Sequence, residues 1–452
     1  MAESQSPMLP SQTPAAAVAR PTRARLMVLF FLCSLSFILY LDRVCFSKAE
    51  SSIRRDLGLK KDQTGYIMAA FTLAYGLFEI PTGRWGDRLG SRAVLTRIST
   101  WWSLFTALTA GCSSFSSMLA VRFVFGAGEA GAYPNAARVI SRWFPRPERG
   151  RAQGVLQTSA LVGGALAQGV TGVLISHLGW RWPFVIYGVI GVVWAFAFWL
   201  WFRDDPADHS WVNEAERRII TSDEPTRPPV HEAIPWRDVF SSRGIRLLST
   251  IMMCSAFNSY VYFSWFPSYL EEGRQVQSTL SGWLSSTVLF CSALGNLLGG
   301  FAADQLVRHS RNPIRSRQQF GCVCYLSAAS LLVVGITRHS AIATTVLVGL
   351  SILCVSLTIS NWWSCAIEIS GKHIGALFGL MNGLGAFGAM ASPTFFGMFS
   401  QWREEHGYIG RDQWDPAFFV VAGVLAFASI CWLFVDSSRA VDSEQNQIKS
   451  QI

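Results

Sequence analysis

Long apolar blocks, recurring along the whole chain and parted by short polar bursts, constrain this sequence more than any motif in it. Crossing the hydrocarbon core of a bilayer takes about 20 mostly apolar residues in helical form. Twelve blocks of that size fall near 26–47, 64–83, 93–112, 117–140, 152–176, 182–202, 247–270, 280–303, 318–336, 341–364, 374–400 and 416–435. Backbone polar groups cannot go unpaired in lipid, and these blocks are far too long for barrel strands, so each is expected to be a helix. Composition agrees. Half of the 452 residues are hydrophobic and 15% are charged, against about 25% charged in a soluble domain. The expected class is an all-α membrane protein with twelve transmembrane helices.

The net charge of +9 does not point to nucleic acid, because the cations sit in bursts between the apolar blocks. On the side of the N-terminus the connecting segments hold 25 Lys and Arg, and on the opposite side 10. That asymmetry is the positive-inside pattern and places both termini in the cytoplasm. Three arginines fall inside blocks: Arg43, Arg122 and Arg138. The ten cysteines are scattered through apolar stretches without metal-ligand spacing, and read as small reduced hydrophobes. Neither a metal nor a cofactor is expected.

Residues 1–24 are rich in Ser, Pro and Ala, and the apolar run that follows lacks a small-residue cleavage site. The expectation is a disordered cytoplasmic tail and not a signal peptide. A hydrophilic stretch at 204–245 separates two six-helix bundles, 25–203 and 246–436, and a second tail fills 437–452. Within the linker, Trp211, Ala215 and Ile219 share one stripe, which suggests an amphipathic helix on the membrane surface. The halves echo each other. Gly83-x-x-x-Asp87 is matched 217 residues later by Gly300-x-x-x-Asp304; Gly154-x-x-Gln157 is matched 225 residues later by Gly379-x-x-Asn382, and Gly172 and Gly397 share that offset. Duplication of this kind accompanies two bundles that rock about a midplane site.

The turn after the second block reads Gly83-Arg-Trp-Gly-Asp87-Arg88-Leu-Gly90-Ser-Arg92. It reads either as a charged loop that only sets topology or as a latch, in which Gly83, Asp87, Arg88, Arg92 and the echoing Asp304 tie the halves at the cytoplasmic end. This spacing resembles the signature loop of the major facilitator superfamily, and the twelve blocks and central linker fit that resemblance along the whole chain.

Inside the blocks lie Asp42-Arg43 in the first and Arg122 and Glu129 in the fourth. Charges there cost several kcal/mol (about 2.5–3.5 on insertion scales) and nearly always face a cavity or one another. The set can neutralise itself, as a structural ion-pair cluster or as a functional one. Tyr40-Leu-Asp42-Arg43…Ser47-Lys-Ala49, Gly128-Glu129-Ala…Pro134…Trp143-Phe-Pro, Asp204-Asp-Pro206 and Tyr260-Val-Tyr-Phe-Ser-Trp265-Phe-Pro267 resemble the anion:cation symporter family. That group includes bacterial hexuronate, D-galactonate and aromatic-acid transporters and the animal sialin relatives. The resemblance implies that Asp42 and Glu129 carry protons, that Arg43 meets the substrate carboxylate and that Arg122 partners an acid. It further implies that Tyr40, Tyr75, Asn258, Asn361, Trp362 and Asn382 line the substrate site.

Cys45, Lys48 and Glu79 depart from the family pattern. Glu79 reads equally as a third titrating acid and as a helix-end partner. The function implied is import of an organic anion with protons, most of all a sugar acid such as a hexuronate or aldonate. The partners expected are that anion, protons and the lipid bilayer of a bacterial inner membrane, with a monomer as the working unit. Other carboxylate or aromatic-acid symport and organophosphate exchange are the alternatives. A drug antiporter is disfavoured because Gln157-Thr-Ser-Ala-Leu-Val-Gly-Gly164 has no proline. Nothing resembles a nucleotide loop, a metal cluster or a nucleophile elbow, so an enzyme is not expected.

Overall fold

The structure, a computed structural model, describes residues 20–221, 236–308, 310, 312–370 and 374–436. The expected tails, up to residue 19 and from 437 on, therefore lie outside the described residues. Among those described there are helices and no strands. In chain order they are α1 (Ala24–Leu57), α2 (Lys61–Leu89), α3 (Ser91–Thr109), α4 (Phe115–Glu129), α5 (Ala132–Trp143), α6 (Arg146–Leu178), α7 (Arg181–Trp201), α8 (Glu214–Thr221) and α9 (Trp236–Ser241). The second half continues with α10 (Arg243–Ser264), α11 (Phe266–Ser268), α12 (Ser278–Arg308), α13 (Pro313–Thr337), α14 (Ala341–Leu357), α15 (Ile359–Ser370), α16 (Ile374–Glu405) and α17 (Arg411–Leu433).

Each of the twelve apolar blocks lies on helix, but three are broken. The fourth divides into α4 and α5, the seventh into α10 and α11, and the tenth into α14 and α15. The fourth and tenth hold corresponding places in the two halves. The first break follows from packing. Gly131 sits at φ 87°, a left-handed conformation that L-residues with a Cβ rarely adopt, and a Cβ there would stand 2.4 Å from Thr82 Oγ1. Glycine thus ends α4 at Glu129 and lets the chain pass against α2. Gly131→Ala is expected to cost about 1–3 kcal/mol through backbone strain plus the clash. Thr82→Ala should recover only the clash, a partial rescue readable as melting temperatures of the single and double variants in detergent.

The linker helix is shorter than its sequence stripe, and it docks on the first bundle. Glu216 of α8 is fully buried. Its carboxylate accepts from the backbone N–H of Arg23 and Arg25 at 3.1 and 3.3 Å and pairs with the Arg25 guanidinium at 2.9 Å, satisfying the free donors at the start of α1.

The halves meet chiefly through α2 against α16 and α6 against α12. The polar contacts that join them between described side chains gather at the end away from the termini. There Ser47 Oγ donates to the Ser264 carbonyl at 2.8 Å, Ser268 Oγ to Glu50 at 2.5 Å, and Lys61 pairs with Glu404 at 2.5 Å. Gly65 lets α16 approach closely, its would-be Cβ 2.8 Å from the Pro393 carbonyl. Toward the terminus-bearing end Gly154 and Gly383 have open space about them, and Leu77 of α2 and Phe387 of α16 are 59% and 58% exposed. The far end is sealed and the other parted.

Candidate functional site

Between the bundles, just inside the sealed end, lies a cavity of about 70 Å³. The first half lines it with Tyr40, Arg43, Val44, Phe46 and Ser47 of α1, Met68, Phe71 and Thr72 of α2 and Arg122 of α4; Tyr260, Phe263 and Ser264 of α10 complete it. Two guanidiniums thus face one cavity whose other lining residues are aromatic, hydroxyl-bearing or, at Val44 and Met68, aliphatic.

Consecutive residues on a helix point about 100° apart, and Asp42 and Arg43 take different surroundings. Arg43 pairs with Glu129, whose side chain is wholly buried at the last turn of α4. That helix end carries the negative pole of the peptide dipoles, so the carboxylate depends on Arg43 for compensation. The guanidinium also lies 4.5 Å from the centre of the Tyr75 ring and 5.3 Å from that of Tyr40, a cation–π arrangement that helps hold it in place. The second oxygen of Glu129 has no hydrogen-bond partner among the described residues.

Asp42 turns toward α3, where Trp102 and Thr106 border it. It is 1% exposed, and neither of its oxygens makes a hydrogen bond of good geometry with a described residue. A carboxyl group buried without a good hydrogen bond is costly to keep and calls for a reason. Arg122, expected to partner an acid, makes no ion pair with a described side chain. It lies instead over the rings of Phe125, Phe46 and Phe71, at 4.5, 4.7 and 5.2 Å, with Asp42 and Glu129 acting on it through the field alone.

The remaining residues expected at the site divide. Tyr40 lines the cavity. Tyr75 borders Arg43 and donates to Glu79 at 3.5 Å. The amides and Trp362 lie outside the lining. Asn258 is buried and accepts from Tyr262 at 3.3 Å, Asn361 donates to the Arg317 carbonyl at 3.1 Å, Trp362 donates to the Leu248 carbonyl at 2.9 Å, and Asn382 is exposed. Sequence reasoning missed Phe71, Thr72, Tyr260 and Phe263 as lining. Phe71 had a signal, for it lies one turn before Tyr75 on the same face.

Of the expected latch, Gly83, Asp87 and Asp304 lie on helix, but their burial and the side-chain contacts of the two aspartates are not described. Arg88 is exposed. Arg92 is tied within its own bundle: its backbone N–H donates to Asp204 at 3.0 Å and its guanidinium to the Trp199 carbonyl.

The sequence matches the Major Facilitator Superfamily over residues 32–393. A probable sulfoacetate transporter of Cupriavidus necator is 32% identical over 426 residues, 93% of this chain and 96% of its own length. A probable L-galactonate transporter of Escherichia coli K12 is 28% identical over 381 residues, 82% of each. These relatives agree with the anion:cation symporter resemblance. Among solved structures, a bacterial homologue of the human lysosomal transporter Spinster, in an inward-facing and unoccupied conformation, superposes with a TM-score of 0.77 at 19% identity, covering 91% of this chain and 97% of its own. Twelve helical spans in two bundles about a buried charged cavity, with a match across most of the length, settle the family: the chain belongs to the Major Facilitator Superfamily, whose members are membrane transporters and not enzymes.

Proposed function

We propose that this protein imports an organic anion together with protons by alternating access, acting as a monomer in a bacterial cytoplasmic membrane with both termini inside. The observation that carries the reading is the buried Arg43–Glu129 pair on a cavity that a second guanidinium, Arg122, also lines. Protonation of Glu129 removes the charge that holds Arg43. The guanidinium then offers a carboxylate or sulfonate two parallel N–H donors. Proton and anion favour the same state, which is symport by linkage. Asp42, buried without a hydrogen bond of good geometry to a described residue, supplies a second proton-carrying group within the same charge cluster.

The substrate is first of all a sugar acid, as the galactonate relative suggests. One observation favours a second reading. The amides suited to sugar hydroxyls are not among the residues lining the cavity, whose two guanidiniums and aromatic rings also fit a compact carboxylate or sulfonate. Purified protein in vesicles with an alkaline interior, offered labelled L-galactonate, D-glucarate, sulfoacetate and benzoate in turn, decides between them. Accumulation of at least one acid above that in protein-free vesicles, collapsing with a protonophore, is the expected result. Protein-dependent uptake that never exceeds equilibration with any of the four refutes proton coupling.

A further inference from the structure

One turn beyond Val44, on the α1 face that lines the cavity, stands Lys48. Its side chain is completely buried, and its ammonium pairs with Glu271. It also donates to Ser278 and Ser281 at 3.0 and 2.8 Å. Two glycines make room for its stem: a Cβ at Gly172 or Gly282 would stand 3.0 or 3.3 Å from Lys48 Cε. A fully buried lysine with a fitted channel for its chain is a built feature.

Its partners are placed asymmetrically. Glu271, Ser278 and Ser281 all belong to the second half, while Lys48 belongs to the first. Glu271 holds hydroxyls from its own half, accepting from Ser278 at 3.1 Å and Ser281 at 2.8 Å, besides Ser51 across the interface at 2.6 Å. The Lys48 ammonium bonds to no described residue of its own half. The neighbouring charges are otherwise spoken for: Arg54 pairs with Glu50 and Glu272, and Lys61 with Glu272 and Glu404. In a state with that end open, Glu271 would leave with its serines, and Lys48 would stand on the path wall as a cation without that counter-charge. Arg55, which acts on it through the field, deepens the positive potential.

We propose that Lys48 is a second anion site on the transport path, where the carboxylate of Glu271 in the closed state occupies the place that an entering carboxylate or sulfonate takes in the open one. The substrate then passes from Lys48 to Arg43, five residues along the same helix. The proposal deepens the transport reading and can fail separately from it.

Charge-selective labelling tests it without a known substrate. Ser278→Cys is made in otherwise native protein, and the parent supplies the background of the ten native cysteines. The probes are 2-sulfonatoethyl methanethiosulfonate and its trimethylammonium counterpart, applied from the far side of oriented vesicles. Their rate ratio cancels changes in thiol reactivity. Relative to the ratio for a free thiol in solution, the sulfonate reagent is expected to be favoured about tenfold or more, as a neighbouring unit charge dictates. Lys48→Met should bring the ratio back to the free-thiol value, whereas Glu271→Gln should hold or raise it; if Lys48→Met alone misfolds, Lys48→Met/Glu271→Gln reads the same loss. Parallel changes in the two single variants would mean a closing bridge only and overturn the proposal. So would an unchanged ratio in Lys48→Met, or no labelling of Ser278→Cys at all. If no acid in the uptake panel accumulates while the ratio behaves as stated, symport fails and the anion site stands.

Discussion

Glu129→Gln is expected to abolish accumulation against a gradient while leaving exchange of substrate across the membrane. Glutamine keeps the shape of the side chain and can still accept from Arg43, but it cannot release or take up a proton. It fixes the site in the condition that protonated Glu129 produces, with Arg43 free for the anion. A gradient of one pH unit supplies about 1.4 kcal/mol per proton, or roughly tenfold accumulation. The variant should therefore show a steady-state ratio near one at every imposed gradient, with counterflow between labelled and unlabelled substrate retained and its pH dependence flattened. Asp42→Asn should lose accumulation in the same way if both acids carry protons. Undiminished accumulation in both variants removes the basis of the coupling argument.

The fold was legible because lipid leaves the backbone so few choices: apolar length alone located every span, including those that carry charge. The breaks were not legible. Gly126, Gly128 and Gly131 all announce close approach, but which of them ends the helix depends on Thr82 lying against Gly131, a tertiary fact. The charged residues were equally visible, and their pairing was not. Arg122 and Glu129 share a helix face, yet seven residues separate them by about 10 Å along the axis, so each looks for company elsewhere. Glu129 finds it in Arg43 of α1, and Arg122 among three rings. Lys48 and Glu271, 223 residues apart, carry no mutual signal in one sequence. The surroundings of the amides were not legible either: Asn258 and Asn361 are buried against Tyr262 and the Arg317 carbonyl, while Asn382 is exposed.

Removal of Arg43 should separate what the ion pair does for folding from what it does for transport. Arg43→Met leaves Glu129 buried beside helix carbonyls with no opposing charge, and stranding one member of a buried pair costs about 3–5 kcal/mol. Adding Glu129→Gln removes the stranded charge, and replacing both members of such a pair is close to neutral. The double variant should therefore regain most of the lost stability, measured as the thermal midpoint in detergent. Transport behaves differently, because the guanidinium is the anion's ligand in this mechanism and a methionine in its place supplies none. Uptake and counterflow should both stay near background in the double variant although it folds, with Glu129→Gln alone still exchanging substrate. A double variant that folds and exchanges at the rate of Glu129→Gln would show that Arg43 serves only to neutralise Glu129, and would move the anion's ligand to Arg122, the other guanidinium on the cavity wall.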